Sequence, residues 1–137
     1  MGLSHVTFIT ADLDRMEQIF TRVLKAEKIY DSGLDTFSIA PERFFDVDGV
    51  WVATMLGAPL PTRTYNHTAF TMPEADYDDR LAEIKSLGLD LREGRSRVAG
   101  EGHSIYFHTP DNHLIELHTG TLAQRLARYR AAKPVQS

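Results

Sequence analysis

The sequence predicts an α+β protein in which a β-α-β-β-β unit occurs twice. Two strand-like runs, at residues 3–10 and 65–71, each carry one histidine near the start, and these histidines lie about 62 residues apart. Each run is followed by a segment with helical spacing of apolar residues and then by three more strand-like runs. We therefore expect one domain over residues 1–137, with a first module at about 1–57, a second at about 64–120 and a C-terminal helix at about 121–131.

The first module begins with the strand at 3–10. Asp12 then has the position of an N-cap, ahead of a helix whose apolar face is formed by Leu13, Met16, Phe20, Val23 and Leu24. Short strands are expected at 28–30 and 35–39, followed by a loop around 41–45 and a strand at 50–56.

The second module follows a linker at 57–64 that contains Pro59 and Pro61. Its helix is expected at 75–87, with Gly88 as the C-terminal stop. Further strands are expected near 89–92, 103–108 and 114–119. Gly57 and Gly120 close the two copies, so the repeat covers most of the chain.

Composition excludes several classes of function. The chain has no cysteine, which excludes disulfides, zinc–thiolate sites and cysteine nucleophiles. A net charge of -4 argues against nucleic acid or an anionic membrane as the main partner and favours a small molecule. The start of the chain has neither a basic region nor an apolar run of signal or transmembrane length, so we expect a cytoplasmic protein.

A carboxylate in a strand with apolar neighbours points to a metal site. Glu116 alternates with apolar residues, and burial of a carboxylate costs several kcal/mol unless a cation or hydrogen-bond donors meet it. His5 and His67 occupy matching places in equivalent strands, so both point to one spot if a pseudo-twofold relates the modules. Two imidazoles and one carboxylate are a common ligand set for a divalent metal. In the first module the place of Glu116 falls near Ala53.

Other polar residues leave alternatives open. His118 shares the face of Glu116 and could replace either histidine or support the ligands from outside. Glu42, beside Arg43, is either half of a surface ion pair or a catalytic acid. Arg125 stands apart from the solvated face expected of the other C-terminal arginines, because it follows the strand of Glu116 closely. The remaining histidines, at strand ends or in a turn, are expected to be exposed: His103, His108 and His113.

Six ordered motifs resemble one known family. They lie at residues 2–8, 41–45, 65–70, 100–107, 111–113 and 116–122. Together with the repeated module, these motifs make the chain similar to the vicinal oxygen chelate (glyoxalase-like) superfamily, and more specifically to its fosfomycin-resistance epoxide hydrolases of FosX type. The resemblance covers nearly the whole chain.

The resemblance implies a Mn²⁺-dependent enzyme that confers antibiotic resistance by adding water to the epoxide of fosfomycin. It implies metal binding by His5, His67 and Glu116, and a general base at Glu42. Residues that match the surroundings of the phosphonate or the opened oxygen are Thr7, Ser104, Tyr106 and Arg125, with Trp51 as an aromatic wall. Beside this resemblance, we expect Arg95, in the loop before Gly100, to add a further cation to the anion site. The resemblance also implies a homodimer in which modules of two chains pair, so that His5 joins His67 and Glu116 of the other chain.

Two departures from the family pattern bear on the substrate. Position 103 is His where relatives of this type often have Arg, and position 124 is Gln where several have an acid. Gln124 is more similar to the thiol-transferring branch. The alternatives are therefore a thiol transferase acting on fosfomycin and a metal-free drug-binding protein of the same fold. Glyoxalase or dioxygenase activity would not need an arginine-lined anion site.

Overall fold

The computed structural model describes residues 1–92, 97–98 and 102–132, with only the backbone described at 97–98. The first module contains β1 (His5–Thr10), α1 (Leu13–Arg22), β2 (Glu27–Asp31), β3 (Glu42–Val47) and β4 (Val50–Leu56). The second contains β5 (His67–Thr71), a 3₁₀ turn (Glu74–Asp76), α2 (Tyr77–Ser86), β6 (Asp90–Arg92), β7 (Arg97–Val98), β8 (Gly102–His108) and β9 (Leu114–His118). α3 (Leu122–Ala132) follows. The predicted α+β fold with a repeated β-α-β-β-β unit is confirmed.

The two sheets have the same topology. Their strand orders are β1-β4-β3-β2 and β5-β9-β8-β6, with the short β7 paired to β8. In each sheet the first strand of the module runs parallel to the last, and the other pairings in these two orders are antiparallel. Thr7 pairs with Ala53, and Ala69 pairs with Glu116. Ala53 therefore occupies in the first sheet the place that Glu116 occupies in the second, as the internal repeat in the sequence predicted.

One face of each sheet packs into a shared core. Alternation along the strands directs Phe45 of β3 and Phe107 of β8 inward, and both side chains are fully buried. They join a single cluster with Phe20 of α1 and Ile84 of α2. The opposite face of each sheet begins with an exposed histidine, His5 on β1 and His67 on β5. We call these the open faces.

The helix signals of the sequence are borne out at α1. Asp12 is its N-cap, and its side chain accepts a hydrogen bond from the Arg15 backbone N–H at 3.0 Å. Gly88 follows α2 with a φ of 66°, in the left-handed region that favours glycine at a helix end.

Among the described residues, no helix is long and apolar enough to span a membrane.

The sequence interpretation was wrong between β2 and β4. The strand expected at 35–39 has no regular secondary structure and bends at 37–39, and the loop expected around 41–45 is instead the start of β3 at Glu42. Ser32 closes the connection, because its N–H donates to the Glu42 carbonyl and its Oγ accepts from the Glu42 N–H. Phe37 and Ile39 are 76% and 86% exposed, so their apolar character did not mark a strand.

The prediction that His103, His108 and His113 are exposed was wrong, because all three pack against the protein and His103 is half-buried. His108 is buried, because it lies on β8 opposite Leu114 of β9. His113 is half-buried, and its Nε2 lies 2.8 Å from the Ile9 carbonyl oxygen. Nearby, Asp111 accepts hydrogen bonds from the Thr10 hydroxyl and the Ala11 N–H. The turn before β9 therefore ties the second module to the end of β1.

Candidate active site

The centre of the site is a buried carboxylate on the open face of the second sheet. Glu116, in the middle of β9, is only 4% exposed. Its Oε1 lies 3.1 Å from His67 Nε2. A hydrogen bond fixes the orientation of the His67 ring, because its Nδ1–H donates to the Tyr65 carbonyl oxygen at 2.8 Å. This leaves Nε2 as the ring nitrogen that faces the carboxylate.

Two more side chains meet the second oxygen of this carboxylate. Ser104 of β8 is hydrogen-bonded through its Oγ to Glu116 Oε2 at 2.8 Å. His118, two residues further along β9, places Nδ1 3.2 Å from the same oxygen and 2.7 Å from Ser104 Oγ. Both oxygens of Glu116 therefore have polar neighbours, which is what a buried carboxylate requires.

Tyr106 extends the polar surface across β8. Burial raises the pKa of its hydroxyl, and hydrogen bonds to Tyr65 and to the carboxylate of Glu116 raise that pKa further. The Tyr65 and Tyr106 hydroxyls are 3.5 Å apart, and the Arg92 guanidinium lies 5.0 Å from the centre of the Tyr65 ring. The sequence reasoning missed Tyr65 and Arg92. The two-residue spacing of Tyr65 from His67 was the available signal for the first.

A cavity of about 290 Å³ opens beside the carboxylate. Its lining combines strand residues with the start of α3: His67, Ala69, Glu116, His118, Gly120, Thr121, Leu122 and Arg125. The start of α3 is held by a capping box, in which the Thr121 N–H donates to Gln124 Oε1 and the Gln124 N–H donates to Thr121 Oγ1. Gln124 thus has a structural role that places Arg125 at the cavity.

The other sequence-predicted residues lie on the open face of the first sheet. His5 stacks on Trp51, with ring centres 4.1 Å apart, and Trp51 in turn contacts Phe44 edge-to-face. Strand pairing puts Thr7 and Glu42 on this same face, because Thr7 pairs with Ala53 and Glu42 with Met55. An aromatic row therefore crosses this sheet beside the residues proposed for metal binding and catalysis.

One chain does not bring all of these residues together. In the part of the chain that the structure describes, no group of three or more His, Asp or Glu side chains is arranged to hold a metal ion. His67 and Glu116 are in contact, whereas the cavity beside them has no lining residue from the first module. Arg95 lies outside the described residues.

Comparison with known proteins identifies the family. The model of the Glyoxalase/Bleomycin resistance protein/Dioxygenase superfamily matches residues 2–117. Fosfomycin resistance protein FosX of Mesorhizobium japonicum is 51% identical to this chain, and the match covers 93% of this chain and 91% of the relative. FosX of Listeria innocua is 49% identical, and the match covers 93% of this chain and 96% of that relative. The chain belongs to the glyoxalase superfamily, in its FosX-type branch. The resemblance seen in the sequence is confirmed.

Solved structures and a more distant relative complete the comparison. A crystal structure of a FosX variant from Listeria monocytogenes, complexed with Mn(II) and 1S,2S-dihydroxypropylphosphonic acid, matches with a TM-score of 0.83 at 46% identity, covering 93% of this chain and 97% of that one. Metallothiol transferase FosB of Shouchella clausii is 33% identical over 97% of this chain and 90% of the relative. Both branches named in the sequence analysis are thus among the relatives of this FosX-type chain.

The departure at His103 also has a structural account. His103 of β8 places Nδ1 3.4 Å from a Glu74 carboxylate oxygen, and its ring contacts Tyr77 edge-to-face. These neighbours belong to the turn before α2 and to α2 itself. His103 is therefore attached to the edge of the second module.

Proposed function

We propose that this protein is a Mn²⁺-dependent hydrolase that adds water to the epoxide of fosfomycin and so confers resistance to the antibiotic. The observation that carries the proposal is the buried Glu116 carboxylate in contact with His67 on an open sheet face. Support comes from the FosX structure that contains Mn(II) and a dihydroxypropylphosphonic acid, because such a diol is the product of water addition to an epoxide.

The residues of this chain fit a hard divalent cation. Glu116 is buried, and the groups described next to its oxygens are imidazoles and hydroxyls. A carboxylate with imidazoles is a ligand set that suits Mn²⁺, and no thiolate is available to favour a softer metal. His67 and Glu116 would hold the ion, with His5 of the partner subunit as the third ligand.

A homodimer would complete the site. His5 and His67 occupy equivalent places, since His5 pairs with Trp51 on β4 and His67 pairs with Leu114 on β9. Pairing of the first module of one chain with the second module of another would bring both open faces to one site. The exposed apolar side chains on the first module, Leu34, Phe37, Ile39 and Trp51, agree with a surface that a second copy covers.

The chemistry divides among named residues. When bound, the metal supplies Lewis-acid polarisation of the epoxide oxygen. Glu42 removes the proton from the attacking water, because neutral water is a poor nucleophile. Arg125 binds the phosphonate through charge-assisted hydrogen bonds, with Arg95 as a further cation.

Hydroxyl groups and an aromatic wall orient the same substrate. A tyrosine hydroxyl is protonated at neutral pH, and the raised pKa of Tyr106 keeps it so well above that pH, so it donates a hydrogen bond to an anionic oxygen. Thr7 provides a second hydroxyl, and Ser104 is the third that the family resemblance implies. Trp51 limits the space on the side of the first sheet and excludes water from it.

The second candidate is transfer of a thiol to the same epoxide, favoured by the 33% identity to metallothiol transferase FosB. The presence of Glu42 favours water as the nucleophile, because a thiol ionises in part without a base whereas water does not. The experiment is incubation of Mn²⁺-loaded protein with fosfomycin, with and without glutathione, followed by phosphorus NMR. Diol in both samples supports the hydrolase. Adduct alone would support the transferase, and no product in either sample would contradict both.

A further inference from the structure

We infer that His118 and Ser104 act as a brace that positions the Glu116 carboxylate for metal binding, with His118 as a positioning residue. The inference rests on the proposed function, because it concerns the same carboxylate. Its basis is a triangle of short contacts: Ser104 Oγ to Glu116 Oε2 at 2.8 Å, His118 Nδ1 to that oxygen at 3.2 Å, and Ser104 Oγ to His118 Nδ1 at 2.7 Å.

Hydrogen-bond accounting fixes the role of each group in the triangle. An ionised carboxylate only accepts, and a serine hydroxyl has one proton to give. If Ser104 donates that proton to Glu116, the Ser104 oxygen must accept from His118, so Nδ1 of His118 carries a hydrogen. A bare Nδ1 would instead direct its lone pair toward the carboxylate oxygen at 3.2 Å. The arrangement is therefore satisfied when His118 Nδ1–H donates.

Burial makes the hydrogen bonds of this brace hard to replace. Glu116 is 4% exposed and Ser104 is 5% exposed, so bulk water cannot replace a lost donor at Oε2. With Oε2 held from one side, Oε1 is the oxygen directed at His67 Nε2. The brace thus selects which carboxylate oxygen faces the first imidazole ligand. Outer groups of this kind orient metal ligands and are worth about 10- to 100-fold in metal affinity.

The first sheet provides an internal comparison. Strand register places Glu42, Ala53 and Met55 where the second sheet has Ser104, Glu116 and His118. The module without the metal-binding carboxylate therefore lacks both brace residues as well. The brace accompanies the carboxylate, although the two sheets share one topology.

Within this triangle Ser104 supports Glu116 and does not donate to the phosphonate. Its single proton is given to Glu116, and its oxygen accepts from His118. Ser104 then has no proton left for the phosphonate, so its loss should weaken metal binding more than substrate binding.

The test uses three variants of this 137-residue chain and measures the dissociation constant for Mn²⁺ without substrate, by the EPR signal of free Mn²⁺. His118→Met introduces the residue found at the equivalent place of the first sheet and removes the donor. His118→Asn keeps an N–H donor close to the position of Nδ1. Ser104→Ala removes the bridging hydroxyl. We expect His118→Met and Ser104→Ala to weaken Mn²⁺ binding by about 10- to 100-fold, and His118→Asn to restore most of the wild-type affinity.

Each outcome is decisive. Wild-type affinity in both His118→Met and Ser104→Ala overturns the brace and leaves the proposed function standing. Equal weakening in His118→Asn and His118→Met overturns it too, because packing and not the donor would then explain the effect. If the wild type binds no Mn²⁺, the metal-dependent function fails first, and the brace falls with it. Thermal melting identifies a variant that does not fold. If His118→Met does not fold, the Mn²⁺ affinity of Ser104→Ala decides the test.

Discussion

Glu42 of β3 and Ser104 of β8 occupy the same place in the two sheets. Glu42 pairs with Met55 two residues beyond Ala53, and Ser104 pairs with His118 two residues beyond Glu116. When equivalent modules face each other across a pseudo-twofold axis, equivalent positions approach that axis from opposite sides. Glu42 of one module would then lie across from the carboxylate site of the other. From that place Glu42 would be able to act as a base on water at the site of the other module.

Replacement of Glu42 by Gln tests that role. Glu42→Gln keeps the size and polarity of the side chain but removes the proton acceptor, so hydration of fosfomycin should fall by about 10²- to 10⁴-fold. Mn²⁺ affinity should be unchanged. Any thiol addition should be spared, because a thiolate forms without this base. Paired rates of diol and adduct formation at one pH measure the effect, and a parallel fall of both rates would instead indicate damage to the fold or the metal site.

The sequence predicted the large features of this site because they follow from periodicity. Two-residue alternation placed Glu116 and His118 on one face of their strand, and the repeat matched His5 with His67 and located the counterpart of Glu116 near Ala53. The start of β3 was missed because exposed Phe37 and Ile39 imitate a strand locally.

The contacts around Glu116 could not be read from the sequence alone. His118 shares the face of Glu116 through alternation along β9, but Ser104 meets the carboxylate only because β8 and β9 pair in one particular register. A shift by one residue would move Ser104 to the other face. The position of Arg125 likewise depends on the capping box at Thr121, which sets where α3 begins.

Arg125 should control affinity for the phosphonate. Loss of a charge-assisted hydrogen bond costs about 1.5–3 kcal/mol, so Arg125→Ala should raise KM for fosfomycin by roughly 10- to 150-fold. Arg128→Ala is the matched control, because Arg128 lies on the same helix but does not line the cavity. Steady-state kinetics of both variants would contradict the assignment if they gave equal KM values.

Gly102 should tolerate no side chain. A Cβ at this position would lie 2.5 Å from the Gly120 backbone nitrogen, and its φ of 86° is itself unfavourable for other residues. Gly33→Ala is the control, since Gly33 also has a positive φ but its Cβ would meet no atom within 4 Å. We expect Gly102→Ala to lower the melting temperature more than Gly33→Ala does. Equal melting temperatures would mean that the contact with Gly120 relaxes without cost.

Stability should fall in mild acid partly through His108. Burial lowers the pKa of His108, and the nearby positive charge of Arg63 lowers it further. The unfolded chain, with an ordinary histidine pKa of about 6.5, then binds the proton more readily than the folded protein. The contribution of His108 to stability is therefore lost as the pH falls below about 6.5 toward the folded pKa.

Non-titrating variants isolate this contribution. The free energy of unfolding of the wild type, measured in urea from pH 8 to pH 5, should fall relative to that of His108→Phe as the pH decreases. His108→Asn should show the same pH-dependent difference, even if its stability at pH 8 differs from that of His108→Phe. A difference that is constant with pH would exclude His108 as a source of the acid sensitivity.

Mixing of inactive chains tests whether two subunits share each site. His5→Ala and Glu116→Ala should each abolish activity as homodimers. A heterodimer of the two, purified through two different tags, should regain about half of the wild-type activity, because one site then receives intact His5 from one chain and intact His67 and Glu116 from the other.

The reciprocal heterodimer reverses the expectation and serves as the control. When a wild-type chain pairs with a chain that carries both His5→Ala and Glu116→Ala, each shared site lacks one ligand, so the heterodimer should be inactive. If instead each chain builds its own site, this second heterodimer keeps about half of the activity and the first has none. The two mixtures therefore give opposite results for the two arrangements. Failure to recover any doubly tagged species would contradict the homodimer itself.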